Sequence, residues 1–108
     1  MAGAEQIAAL GDPNRRAIFD ILSNGPMAVG DIARQLPVTR SAVSQHLKVL
    51  KDVGLVQTEA QGTRHLYRLD PDGVAKMRAY LDEVWRKALG NFKAEAERRR
   101  AAKPRTKM

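Results

Sequence analysis

The chain has 108 residues, enough for one domain, and its 44% apolar and 29% charged content is that of an ordinary soluble globular protein. It contains no cysteine, which excludes disulfides, thiol redox sensing, thiolate metal sites and cysteine nucleophiles together. No apolar run approaches the roughly 20 residues of a membrane span, and the start lacks the basic-then-apolar pattern of a signal peptide, so the expected location is the cytoplasm, with no membrane partner.

The first segment, AEQIAALG, reads as a short helix stopped by Gly11. A second helix follows in GDPNRRAIFDILSNGP. Asp12 is its N-cap and Pro13 its first residue, Ile18, Ile21 and Leu22 recur at helical spacing, and Asn24-Gly25-Pro26 ends it. VGDIARQL is a third, short helix with Val29, Ile32, Ala33 and Leu36 on one side and Asp31 suited to its first turn. After Pro37, TRSAVSQHLKVLKDVGLV gives a fourth helix. Thr39 is a good N-cap, Val38 and Val43 occupy the positions of a hydrophobic staple, and Gly54 fits the left-handed residue just past the end. LVQTEA and RHLYRL read as two short strands around Gln61-Gly62-Thr63. Asp70-Pro71 opens a final helix, opposed only by Gly73 and Gly90, which runs to about residue 100 and on the order of 40 Å.

The third and fourth helices, joined by a tight turn, form the helix-turn-helix pattern. Ala33 is small where the helices cross, Leu36, Val38 and Val43 fill the corner, and Leu47 and Leu50 root the fourth helix. Ser41, Ser44, Gln45 and Lys48 then fall at i, i+3, i+4 and i+7, and with Arg40 they make a polar, acid-free face. Glutamine can pair with adenine, arginine with guanine, and serine with phosphate or base edges. A hairpin directly after such a pair is the winged form, with Arg64 at the wing tip. The expected architecture is therefore mainly α with a two-stranded β-wing, a winged helix-turn-helix of about five helices in the order α-α-α-α-β-β-α. Residues 1–97 form the DNA-binding and dimerisation domain, and residues 98–108 a basic, disordered tail.

Charge placement fits this division. Residues 86–108 carry nine Lys/Arg against two Glu, which accounts for the whole net charge of +7; residues 1–85 sum to zero. Within the body, residues 32–69 carry six basic and two acidic side chains and are the electropositive part. The final helix has an apolar stripe from Val74 through Leu81, Val84, Trp85, Leu89 and Phe92 that exceeds what a domain of this size can cover alone, which points to a homodimer.

LGDPNRRAIFDIL, VGDIARQL, TRSAVSQHLKVLKDVGLV and GTRHLYRL resemble the ArsR/SmtB family of bacterial winged-helix repressors over about residues 5–92. The resemblance implies a dimer built from the first and last helices, so that Ile7 and Leu10 would join Leu81, Val84, Trp85, Leu89 and Phe92 at the interface. It implies binding of double-stranded operator DNA by residues 40–52, with Ser41, Ser44 and Gln45 facing the major groove and Arg64 at the wing. The candidate DNA contacts are Thr39, Arg40, Ser41, Ser44, Gln45, Lys48 and Arg64. His46 and His65 are expected to be structural, as are Arg15 and Arg16, although one of the two arginines could touch phosphate. An inverted-repeat operator with half-sites roughly 34 Å apart follows from a two-fold pair.

Some members of that family sense metals through a Cys-x-Cys pair in the third helix or through Asp and His ligands on the last helix. This chain has neither, only Asp82 and Glu83 with no histidine after His65, so no metal and no cofactor are expected. Family lines with final helices like LDEVWRKAL tend to lack metal ligands. Three controls stay open: no small-molecule input, an organic effector at the dimer interface, or expression level and a partner protein. No nucleophile motif or phosphate loop suggests an enzyme. The alternative is a winged-helix protein-interaction module, or a non-specific, chromatin-like basic module in which the tail does the binding.

Overall fold

The structure is a computed structural model that describes residues 2–102. In chain order it contains α1 (Ala4–Ala9), α2 (Pro13–Leu22), β1 (Met27–Ala28), α3 (Val29–Ala33), α4 (Arg40–Asp52), β2 (Val56–Gln61), β3 (Arg64–Leu69) and α5 (Pro71–Ala102). The five helices and the hairpin are those expected. Two features differ. β1 pairs antiparallel with β3, Met27 opposite Tyr67 and Ala28 opposite Leu66, so the wing is part of a three-stranded sheet of order β1-β3-β2. α5 also runs past the expected tail boundary at residue 98 as far as Ala102, while residues 103–108 lie outside the described residues.

Local chemistry accounts for the element ends. The Asp12 carboxylate accepts hydrogen bonds from the Asn14 and Arg15 amides at 2.8 and 3.1 Å, and Pro13 supplies the first helical residue of α2. α3 tightens after Ala33, with the Gln35 amide reaching Ile32 and the Leu36 amide reaching Ala33, because Leu36 precedes Pro37 and is held out of the helical region. α4 ends in a complete Schellman motif. Gly54 has φ +81°, the Leu55 amide donates to Leu50 O at 2.9 Å, and the Gly54 amide donates to Lys51 O at 3.0 Å. The two apolar residues that flank this motif, Leu50 and Leu55, are both fully buried in the core cluster.

The core gathers residues from each part of the body: Ile18 and Leu22 of α2, Ile32 of α3, Val43, Leu47 and Leu50 of α4, then Leu55 and Val56. β2 and β3 pair along their length, from Val56 opposite Leu69 at the buried root to Gln61 opposite Arg64 at the exposed tip. Gly62, at φ +65°, makes the turn, with the positive φ at the first central position that a type II′ hairpin requires. α5 begins under the end of α4. Gly73 is buried, and any Cβ there would overlap the Gly54 carbonyl.

Candidate nucleic-acid interface

α4 is held on one side and open on the other. Thr39 caps it, its hydroxyl accepting from the Ala42 amide at 3.1 Å. Val43, Leu47 and Leu50 are fully buried, and Val38 packs against the same core. Burial of that stripe leaves the helix no freedom to roll, since removing one such side chain costs about 2–5 kcal/mol. On the outer side Arg40, Ser41, Ser44, Gln45 and Lys48 are all exposed. Among the described residues the side chains of Ser41, Ser44 and Gln45 hydrogen-bond to nothing in the chain. They are free donors and acceptors on a helix fixed in place.

The charged members are not all free. Lys48 donates to Asp52 one turn on, at 3.1 Å. Arg64, at the start of β3, reaches back to α3, where its Nη2 donates to Asp31 Oδ2 at 3.3 Å, and Arg34 Nη2 donates to the other oxygen of the same carboxylate. Arg40 also leans toward this place, with its guanidinium nitrogen 3.7 Å from where a Cβ on Gly30 would stand. The structure thus brings an acid to the edge of the basic surface that the sequence suggested was acid-free. Asp31 was readable only as a first-turn acid, because Arg64 is 33 positions away.

The other singled-out residues separate clearly. Arg15 ties the end of α1 to α2: its Nε donates to Ala9 O at 2.7 Å, and its Nη1 lies 3.9 Å from the Asp12 carboxylate. Arg16 is exposed. His46 is half-buried on α4. The Arg15 amide, against a smaller opposing effect of burial, holds the Asp12 carboxyl below the usual carboxylate range; the Asn14 amide and the charges of His46 and Arg15 add to it. His65 is exposed on the ribbon, opposite Ala60.

α5 presents a second surface. Leu81, Val84, Trp85, Leu89 and Phe92 are 42, 44, 62, 58 and 73% exposed, so the stripe runs uncovered for most of four turns. α1 packs on the same helix, with Gly3 pressed against Tyr80 so closely that a Cβ would collide with it. Ile7 is half-buried, and Leu10 is half-buried against the core. The two carboxylates considered as metal ligands are engaged with neighbours on their own helix, Asp82 with Arg78 at 4.0 Å and Glu83 with Arg86 at 2.5 Å. Among the described residues no group of three His, Cys, Asp or Glu side chains could hold a metal ion, and no helix is long and apolar enough to cross a membrane.

Comparison with known proteins places this geometry. The helix-turn-helix domain family matches residues 10–59, which span α2 to the middle of β2. The HTH-type transcriptional regulator Rv2034 of Mycobacterium tuberculosis is 55% identical over 84 residues, 78% of each chain. A crystal structure of a possible transcriptional regulator for arsenical resistance superposes with a TM-score of 0.71 at 38% identity, covering 84% of this chain and 95% of that one. The solution structure of Mb0332 from Mycobacterium bovis, a homodimeric winged helix-turn-helix DNA-binding domain described as a possible ArsR-family regulator, superposes at 0.62 with 33% identity over 78% of each chain. The fold, the capped and rooted α4 and these relatives agree: the chain belongs to the ArsR family of winged helix-turn-helix transcriptional regulators.

Proposed function

We propose that this protein is a cytoplasmic repressor that binds an inverted-repeat operator as a homodimer, without a metal cofactor and without enzymatic activity. The observation that carries this reading is the two-sidedness of α4. Its inner stripe is fully buried, while Ser41, Ser44 and Gln45 stand exposed and unbonded beside a wing. In this reading Ser41, Ser44 and Gln45 contact base edges in the major groove, Thr39, Arg40 and Lys48 contact phosphates, and Arg64 contacts phosphate or the minor groove from the wing. The stripe from Leu81 to Phe92 meets its copy in a second chain, with α1 alongside through Ile7 and Leu10. The homodimeric Mb0332 domain, similar over most of its length, supports that pairing. Repression is supported by the name of a relative 32% identical over 78 residues, the arsenical resistance operon repressor of Staphylococcus xylosus.

Selection of bound duplexes from a random pool tests the reading. A symmetric motif with half-sites about one helical turn apart is expected. Gln45→Ala should relax base preference at one position of each half-site, costing about 1–3 kcal/mol there. Removal of residues 98–108 should leave the motif intact. Loss of all binding on that truncation, with no motif from the full chain, would favour the basic-module alternative. Arg98 and Arg99 both pair with Glu95, which speaks against a freely available basic tail.

A further inference from the structure

Asp31 is not one of the expected DNA contacts, yet in the free protein it holds one of them, Arg64. Its carboxylate takes Arg34 from its own helix and Arg64 from the wing, one on each oxygen, and Arg40 of α4 lies against the preceding residue. Two arginines, one from the end of α3 and one from the wing, therefore share one acid, with Arg40 nearby. Arg34 and Arg64 side chains are 75 and 59% exposed, so these are hydrated ion pairs of small worth to stability. They are cheap to break and re-form. A carboxylate and a phosphate offer a guanidinium the same kind of paired acceptor oxygens, so either can occupy it.

We propose that Asp31 is an internal competitor for DNA phosphate that weakens binding to every duplex alike by occupying Arg34 and Arg64 in the free protein. The inference rests on the DNA-reading role proposed above. Any duplex that approaches must draw these arginines away and leave a carboxylate beside its own phosphates. That opposition is independent of sequence. It subtracts from non-specific binding, in which phosphate contact supplies essentially all the affinity. The base contacts of α4 are untouched, so the ratio between operator and other DNA stays as it is while the absolute affinity and its salt dependence fall. A plain tether between wing and α3 would act in the opposite sense, since its loss would loosen the wing and weaken binding to every duplex.

The test uses full-length Asp31→Asn, which keeps the side-chain shape and removes the charge. Its probes are the duplex recovered by selection, a shuffled duplex of equal length, and a heparin column. We expect the shuffled duplex to bind roughly three- to ten-fold tighter than it does to the wild type. The slope of log affinity against log salt should steepen by about one, elution from heparin should move to higher salt, and the selected duplex should gain by a similar factor, leaving the selected-to-shuffled ratio unchanged. In an Arg34→Ala/Arg64→Ala background the same change should gain much less. Unchanged affinity and slope on the shuffled duplex, or an equal loss on both duplexes, would overturn the proposal. The heparin and shuffled arms do not depend on sequence reading. A shift there without any preferred duplex would defeat the reading of α4 and leave the masking of the arginines standing.

Discussion

Gly73→Ala sets two opposed effects against each other at the junction of α4 and α5. By helix propensity alone the change favours α5 by at most about 1 kcal/mol. The surroundings point the other way. A Cβ at residue 73 would overlap the Gly54 carbonyl oxygen and stand 2.6 Å from its carbon and 3.2 Å from Leu55 Cα. These are backbone atoms, and they are pinned: Gly54 and Leu55 hold the Schellman hydrogen bonds, and Leu55 O accepts from the Asp70 amide at 2.8 Å. No rotamer change relieves the overlap, so α5 must shift bodily. Overpacking of this kind costs about 1–3 kcal/mol and sometimes more, and contact on backbone belongs to the upper end. The expected net loss is about 2 kcal/mol, with Tm falling about 4–8 °C per kcal/mol. Gly90→Ala is the matched control, because a Cβ there meets nothing within 4 Å and should stabilise the helix by up to about 1 kcal/mol. Urea and thermal unfolding by circular dichroism, at one fixed protein concentration, would measure both. A Gly73→Ala protein as stable as the wild type, beside a stabilised Gly90→Ala protein, would refute the close approach as a constraint.

Trp85→Glu places a charge in the middle of the exposed stripe and should shift the protein to monomer by light scattering, with operator binding weakened in step; a dimeric, fully active variant would remove α5 from the interface. Lys48→Ala should weaken binding to all duplexes and reduce the salt slope by about one, measured by titration at several salt concentrations; a change confined to one base position would move Lys48 from the phosphates to the bases. The folded pKa of Asp12 is depressed, so its ionisation contributes stability that is present above its unfolded pKa and is lost as pH falls through the folded value. Asp12→Asn keeps a side chain able to cap α2 and removes that ionisation, so its stability should decline less steeply than the wild type over this acid range. Parallel declines would rule out Asp12 as a source of the acid sensitivity.

What could be read from the sequence was what neighbours in the chain decide. Asp12-Pro13 opens α2, Thr39 opens α4, and Gly54 closes it, each through hydrogen bonds spanning a few residues. The exposed face of α4 was legible for the same reason, since helical spacing alone sorts Ser41, Ser44 and Gln45 from Val43 and Leu47. What escaped depends on distant partners. β1 is too short to show a period of two and exists because Tyr67 and Leu66 pair with it. Gly73 looked like a weakness in α5, but it is where that helix must pass the end of α4. Asp31 looked like a helix-start acid because Arg64 reaches it only after the wing has folded back. The extension of α5 to Ala102 is carried in part by Glu95 with Arg98 and Arg99, pairs that a tally of net charge counts as tail.

The uncovered stripe of α5 also bears on how such a regulator can be released. When two chains must meet before an operator is held, the amount of the binding form varies as the square of chain concentration below the association midpoint. A threefold fall in the protein then lowers the paired form about ninefold, by mass action alone. Trp85, Leu89 and Phe92, among the most exposed apolar side chains of the molecule, would make dilution or proteolysis a sufficient off-signal. The abundance of the protein would itself be the message.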